Sequence, residues 1–335
     1  MPALVKWTDI QSFHNLTKSI GVLYSYSNET PPIITYQAKV KLHGTNAGVQ
    51  ISQNGEVVAQ SHHRILSEEA DNMQFHQWVM SNKEKWAILR DHERGPMTVF
   101  GEWCGKGIAK GTAISQLDRK ILAVFAIQIG VDKAVFLTEP ADISTFLKDL
   151  DVPDVYVLPW LETTNICDFS NINSVKSTVD WANNLVEQVE KCDPWVYKAF
   201  GIQGIGEGVV AYPTWLWDPI PPRGDITAFM FKAKGEAHRV VKDKKAAQVS
   251  PTSAVSVNAF IDLVLTEARL EQGVTEACNE RYDTTLIGPF LKWIGGDVKK
   301  ECQNELQVSN IEWKSVAGPL AKTAKEWYVK RIQEI

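Results

Sequence analysis

The sequence is short of long apolar runs. Nowhere in its 335 residues is there a stretch of ~18 or more uncharged apolar residues, the length a membrane-spanning helix needs. The best candidate, Ile121 to Val131, reads instead as a buried strand. Met1 to Leu16 carry Lys6, Asp9 and His14 and no apolar block of the signal-peptide kind. A soluble, cytoplasmic protein without membrane contact is therefore expected. Cysteine is sparse as well. The five cysteines (Cys104, Cys167, Cys192, Cys278, Cys302) are odd in number, scattered and never arranged C-x-x-C. That argues against a disulfide framework and a structural zinc site, and suits a reducing compartment. Nor is there an excess of basic charge. Thirty-five Lys and Arg against 40 Asp and Glu give a net charge of −5, which argues against a wholly basic nucleic-acid coat. Internal repeats and low-complexity tracts are missing, so no solenoid is expected. Apolar residues at 44% and charged residues at 22% are the ordinary globular balance, which excludes a mostly disordered chain and a collagen-like fibre. The length suits two domains, or one large one with an appendage.

The charge that is present is unevenly spread. Glu139 to Asp193 hold eleven acidic residues against three basic; Pro221 to Lys245 hold seven basic against three acidic. A basic stretch inside an acidic protein can bind a polyanion at one face while like charge elsewhere repels it. A solvated, lysine-rich loop is the alternative reading.

Patterning divides the chain. The first two-thirds is strand-rich. Ile33 to Ser52 and Gly55 to Gln60, joined at Asn54-Gly55, read as a β-hairpin. Thr98 to Trp103, Ile121 to Ile129, Gly208 to Ala211 and Thr227 to Lys234 read as strands. Ala70 to Arg90, Asp142 to Leu150 and Val175 to Lys191 read as helices. The last third is helical. Val257, Phe260, Ile261, Val264, Leu265 and Ala268 fall on one helical face; Ile287 to Val298 and Trp313 to Tyr328 repeat the pattern. Three amphipathic helices suffice for a small bundle. The expected domains are residues 1–245 and 246–335, split in the charged and polar stretch Lys242 to Thr252.

The chemistry concentrates around Lys39-Val40-Lys41-Leu42-His43-Gly44-Thr45-Asn46, a strand that ends in a glycine turn. Glycine there permits tight curvature and close approach of a ligand. A lysine just before such a turn can point its amine into a pocket. To act as a nucleophile it must lose a proton, so neighbouring cations or desolvation must lower a pKa that is ordinarily ~10.4. Four further segments follow in order. Glu102 sits in the apolar strand Val99 to Trp103, Phe125 in Leu122 to Ala126, and Glu207 between two glycines in Gly206 to Val210. Phe229-Met230-Phe231-Lys232-Ala233-Lys234 spaces two lysines by two, which on a strand sends both to one face.

This arrangement resembles the nucleotidyltransferase motifs of the covalent ligases and mRNA-capping enzymes and, more narrowly, the RNA ligase 2 family. Lys41-Leu42-His43-Gly44-Thr45-Asn46 matches the K-x-H-G-T-N form of the nucleophile motif; DNA ligases and capping enzymes usually show K-x-D-G. The resemblance covers roughly residues 33–236. It implies an α+β fold: a nucleotidyltransferase, ATP-grasp-like ligase core of antiparallel sheets, followed here by a small helical domain. It implies an ATP-dependent RNA ligase that joins RNA 3′-hydroxyl and 5′-phosphate ends. ATP and Mg²⁺, with Mn²⁺ as an alternative, would be the cofactors, and AMP would be carried covalently on Lys41. Lys41 would be the nucleophile, and Lys232 and Lys234 the cations that neutralise charge at the phosphate. Glu102 would accept from the ribose hydroxyls, Glu207 would hold the metal, and Phe125 would stack on adenine. Lys39 and Val40 would meet the adenine edge largely through backbone, and Asn46 would donate to a phosphate oxygen. His43 would bond within the turn or touch RNA. Oligomeric state is not legible; a monomer is the working expectation.

One departure stands out. Many relatives read Ser-Arg-x-Arg after the first hairpin; here the segment is Ser61-His62-His63-Arg64. Arg64 can still grip a phosphate with its planar fork. His62, mostly neutral at pH 7, weakens that grip. The adjacent histidines would point to opposite faces of a strand, which argues against a metal site. Gly105 to Gly111 is no Walker loop, since the G-x-x-x-x-G-K-[ST] spacing is missing, but Lys106 could track RNA. Arg239, Lys242, Lys244 and Lys245 extend the basic run after the motif lysines as an RNA path. A DNA ligase or capping guanylyltransferase usually carries an OB-fold after the motif lysines, which the helical last third disfavours. A non-catalytic RNA-binding protein would be expected to have lost Lys41, Lys232 or Lys234.

Overall fold

A computed structural model describes residues 3–25, 29–90, 95–130, 134–217, 226–235, 253–279, 281–302, 306 and 311–334. The chain divides into two compact units, Met1–Lys234 and Gly235–Ile335. The boundary expected between residues 245 and 246 lies outside the described residues.

The first unit opens with a two-residue strand, β1 (Gln11–Ser12), and helix α1 (Phe13–Ser25), which buries Phe13, Leu16 and Ile20 at helical spacing. Strand β2 (Ile33–Lys41) leads through three residues into β3 (Thr45–Ile51), which returns as β4 (Val57–Ser61). The expected hairpin is β3–β4, turned at Asn54-Gly55. The single helix expected over residues 70–90 is two short ones, α2 (Phe75–Ser81) and α3 (Lys83–Ala87). Asp71 accepts from the amides of His76 and Gln77 in the first turn of α2. Asn82 donates to the carbonyl of Trp78, so its side chain competes with the helix ladder and ends it.

Strands β5 (Met97–Gly105), β6 (Lys120–Ile129) and β7 (Val135–Leu137) follow, then α4 (Pro140–Phe146), shorter than expected, and β8 (Val155–Val157). After β9 (Thr164–Asp168) comes the long helix α5 (Ile172–Lys191), where Thr178, Ala182, Leu185, Val186 and Val189 form one buried stripe. The Asn171 side chain caps it by accepting from two amides, a contribution of about 1 kcal/mol. Helix α6 (Pro194–Phe200), capped by Asp193, precedes β10 (Gly208–Trp217) and β11 (Phe231–Lys234).

These strands form two sheets. The first runs β1-β11-β10-β2-β9, antiparallel except for β1 with β11. The second runs β4-β3-β5-β6-β7, with β8 parallel to β6. One hydrophobic cluster joins them, taking Ala38, Val40, Val209 and Tyr212 from the first and Phe100, Ala123 and Phe125 from the second. The turn after Lys41 is therefore the point where the chain leaves one sheet for the other.

The second unit is helical, and its described residues hold one helix more than expected. Helices α7 (Ser253–Val264) and α8 (Glu267–Cys278) replace one continuous pattern, because the Thr266 side chain accepts from the Arg269 amide and starts a new helix. Helices α9 (Ile287–Glu301) and α10 (Trp313–Glu334) follow. Phe260, Val264, Leu270, Phe290, Ile294, Leu320 and Tyr328 share one core. Arg269, only 2% exposed, is pinned there by Asp297 at 2.9 Å and the Val264 carbonyl at 2.6 Å. Among the described residues, no helix is long and apolar enough to cross a membrane.

Candidate functional site

Strand register sets the site. Lys41 on β2, Gly208 on β10 and Lys234 on β11 stand opposite one another; two residues along, Lys39, Val210 and Lys232 form a second row. Directly opposed residues share a face, so all four lysines project from one side of the sheet. Gly208, between Lys41 and Lys234, has φ of +149°, and a Cβ there would meet the Ala233 carbonyl at 2.2 Å. Only glycine fits, and its bare position leaves room between the two lysines.

Glu207 fills that gap. Its Oε2 lies 2.7 Å from the Lys41 ammonium and its Oε1 3.1 Å from that of Lys234. The carboxylate is nearly buried, whereas Lys41 keeps 23% and Lys234 16% of its side-chain exposure. Burial alone would raise the Glu207 pKa. The ammonium groups of Lys41 and Lys234, with His43, overcome that and hold it well below the usual carboxylate range. The segment before Glu207 is tied to three elements. Asp193 donates its amide to the Gly204 carbonyl, Ala113 to that of Ile205, and Gly206 donates to Val189. The carboxylate therefore stands on a fixed base.

The turn after Lys41 packs against the second sheet. A Cβ at Gly44 would meet the Trp103 carbonyl at 2.5 Å and Glu102 Cγ at 2.9 Å. The close approach seen here is that of β5. It brings Asn46 opposite Glu102 in the ladder. Asn46 Oδ1 is buried and has no hydrogen-bond partner among the described residues. The amide carries both an acceptor and a donor, so it can meet a hydroxyl or a phosphate oxygen.

The other expected residues are spread over both sheets and their loops. Val40 is core through its side chain. Phe125 is 8% exposed, and its ring packs at 5.1 Å from that of Trp7. Lys39 turns its side chain into the floor between the sheets and is fully buried. His62 and His63 lie in a bend after β4, not in a strand, so their rings meet edge to face at 4.6 Å instead of diverging. His62 also pairs with Asp9 at 2.9 Å. Burial nevertheless leaves its pKa below the ordinary value, against the pull of Asp9. Arg64 is exposed on the same bend. Lys106 lines a groove of about 610 Å³ with Trp78, Trp103, Arg119 and Lys120. Arg119 is engaged there by Asp154 at 2.8 Å, and Lys120 by Gln74 at 2.6 Å. Arg239, Lys242, Lys244 and Lys245 lie outside the described residues. Among the described residues, no group of three or more His, Cys, Asp or Glu could hold a metal ion.

Sequence reasoning missed Trp7. It is 2% exposed and packs against Phe100, Phe125 and Phe136. Its indole nitrogen is buried without a hydrogen-bond partner among the described residues. The backbone around it is held by Gln60, whose amide bonds both the N–H and the carbonyl of Val5. A lone tryptophan ahead of the first strand carries no signal that would have placed it there.

Two facing sheets with a lysine at the crossing between them define the nucleotidyltransferase class of fold. A family model described as RNA ligase matches residues 34–234. The chain belongs to the RNA ligase family. It is also similar to solved structures of an RNA ligase from Naegleria gruberi. An unliganded variant is 21% identical, with a TM-score of 0.45, over 71% of this chain and 58% of that one. A variant solved with ATP and Mn is 20% identical, with a TM-score of 0.45 over the same shares. The chain thus spans less than two-thirds of those ligases. No curated protein matches it.

Proposed function

We propose that this chain is an ATP-dependent RNA ligase that works through a covalent lysyl-AMP on Lys41. The observation that carries the reading is the Lys41–Glu207–Lys234 cluster: a partly exposed amine where the chain crosses between the sheets, held by one buried carboxylate that a second lysine shares. Glu207 keeps the Lys41 amine in place, and Lys234 supplies the charge that lets Glu207 release it. Deprotonated Lys41 attacks the α-phosphate of ATP; the P–N bond forms as the bond to pyrophosphate breaks. AMP then passes to an RNA 5′-phosphate. An RNA 3′-hydroxyl attacks that activated phosphate, closes the phosphodiester and releases AMP.

Each further role has its own support. Lys232 shares the face of Lys234 and would meet the same phosphates. Glu102 and Asn46 stand opposite each other across the β3–β5 ladder, where both would meet the ribose hydroxyls. Leu161 bonds the Ala38 carbonyl on the edge that β9 leaves open, and strand alternation puts the Val40 backbone on that edge as well, where a base would meet it. Arg64 and Lys106 are exposed cations placed to meet RNA. His43, close enough to act on Glu207, fits a role inside the turn.

A divalent cation suits this donor set. One Glu207 oxygen comes free when Lys41 leaves it, and Mg²⁺ is commonly held by one or two carboxylates with substrate phosphates and water. When bound, such an ion neutralises phosphate charge. Mn²⁺, which accompanies ATP in the Naegleria gruberi structures, would serve similarly.

The test is labelling with ATP carrying a marked α-phosphate, after pyrophosphate has stripped any AMP already attached. Wild type should retain label through denaturation and Lys41→Ala should not. An unlabelled wild type, with both Mg²⁺ and Mn²⁺ tried, would sink the reading.

A further inference from the structure

Lys39 is fully buried, yet it carries an amine. Its Nζ donates to the Phe125 carbonyl at 2.9 Å and the Thr138 carbonyl at 2.7 Å. The Trp160 ring lies 4.6 Å from it and the Tyr212 ring 5.2 Å. Lys39 belongs to the first sheet, while both carbonyls belong to the β6–β7 side of the second. One side chain therefore ties the two sheets together at the floor of the cleft.

Phe125 needs such a tie. In the β5–β6 ladder Phe100 opposes Ala126 and Gly101 opposes Val124, so Phe125 is the extra residue of a β-bulge. On the other edge of β6, β8 reaches only to Val124, and pairing with β7 begins at Ile127. The bulge takes Phe125 out of register with its neighbours. Bulges recur beside functional sites because they re-aim a side chain, and they leave backbone groups to be satisfied by other means. Lys39 satisfies this one.

Stability does not explain the choice of lysine. Taking an ammonium out of water is costly, and an apolar residue of similar volume is often neutral or stabilising at such a site. Burial pushes the Lys39 pKa down to about 7, against the attraction of Glu139. What lysine offers and methionine lacks is donors that fix two carbonyls relative to β2.

We propose that Lys39 is a positioning residue: it holds the Phe125 bulge in register with Lys41, two residues along the same strand. The inference rests on the nucleotide reading above, with Lys41 at the phosphate, and on the stacking of Phe125 on adenine that the family resemblance implies. Lys39 itself touches neither.

The experiment compares wild type with Lys39→Met, Lys39→Arg and Trp160→Leu in lysyl-AMP formation. The KM for ATP should rise at least tenfold in Lys39→Met, with kcat within threefold of wild type. Lys39→Arg should recover part of the loss, and Trp160→Leu should raise KM about threefold without altering β2. Unchanged KM values in the folded variants would overturn the proposal; if Lys39→Met fails to fold, Trp160→Leu decides alone. Hydrogen exchange supplies a readout that needs no ATP. Residues 120–129 and 135–138 should exchange at least tenfold faster in Lys39→Met, or similarly but less in Trp160→Leu, while 208–217 stay protected. Unchanged exchange would also overturn it. A wild type that takes no label would defeat the ligase reading and leave exchange to decide the tie.

Discussion

Lys39 and Lys41 stand two residues apart on one face of β2, and the protein treats them in opposite ways. At the mouth, Lys41 meets a carboxylate at 2.7 Å and keeps partial exposure. At the floor, Lys39 meets two carbonyls and two rings and has none. A carboxylate partner can be exchanged for another charge, so the amine can leave. Carbonyls from a neighbouring sheet cannot be exchanged, so that amine stays. The same side chain becomes a reagent or a rivet according to what answers its charge.

The largest expected effect comes from removing the answer at the mouth. Glu207→Gln keeps the shape but leaves Lys41 and Lys234 without their shared counterion. Lysyl-AMP formation should fall on the order of 100-fold, and breaking the buried pairs should cost about 3–5 kcal/mol in urea unfolding. The pH dependence separates the variant further. Because Glu207 is held well below its unfolded pKa of 4.5, its stabilisation is complete above that value and lost as pH falls through the folded pKa. Glu207→Gln should lack that acid limb. Wild-type labelling by the variant would mean that the mouth is organised by something other than this carboxylate.

The floor should respond at the other end of the pH scale. Lys39 has a folded pKa of about 7 against 10.5 unfolded. Between those values the unfolded chain holds the extra proton, so stability rises with pH, by up to about 1.4 kcal/mol per unit. The groups facing Lys39 do not obscure this. Burial pushes the Tyr212 phenol upward, away from this range. Wild type should therefore gain on Lys39→Met as pH climbs from about 7 to about 9. A flat difference would show that the ammonium is better solvated than its neighbours imply, and the contrast between mouth and floor would weaken.

The mouth was legible in sequence and the floor was not, for a physical reason. Lys41, Glu207 and Lys234 lie beside glycines or at strand ends, where few residue types fit, so their spacing reports chemistry. The β10 register that aligns Lys41 with Lys234 follows from strand alternation once the strands are recognised. Lys39 meets backbone carbonyls, which any sequence supplies, through a bulge that no residue type marks. Trp7 reaches its place across a long loop closure, and nothing local encodes it. The extra helix α8 was lost because the apolar period continues through Thr266, where a single capping bond decides the break.

The smallest effect is expected at the rim, where His62 stands at the position that the resembled Ser-Arg-x-Arg motif gives to arginine. Asp9 accepts from Lys6 at 2.6 Å and pairs with His62 at 2.9 Å, but its side chain is 74% exposed. Water and salt screen charges in that position, and exposed pairs rarely contribute more than about 1 kcal/mol. His62→Arg should therefore leave lysyl-AMP formation within twofold of wild type. It should tighten RNA binding by less than about fivefold at low salt, with the gain vanishing as salt rises. The two steps must be measured separately, since only the second involves an RNA phosphate. A tenfold change in the first step would mean that the Asp9–His62 pair reaches the nucleotide through the segment that carries Trp7 onto Phe125. Rim and floor would then be one device, and Lys39 would share its task with the chain's first ten residues.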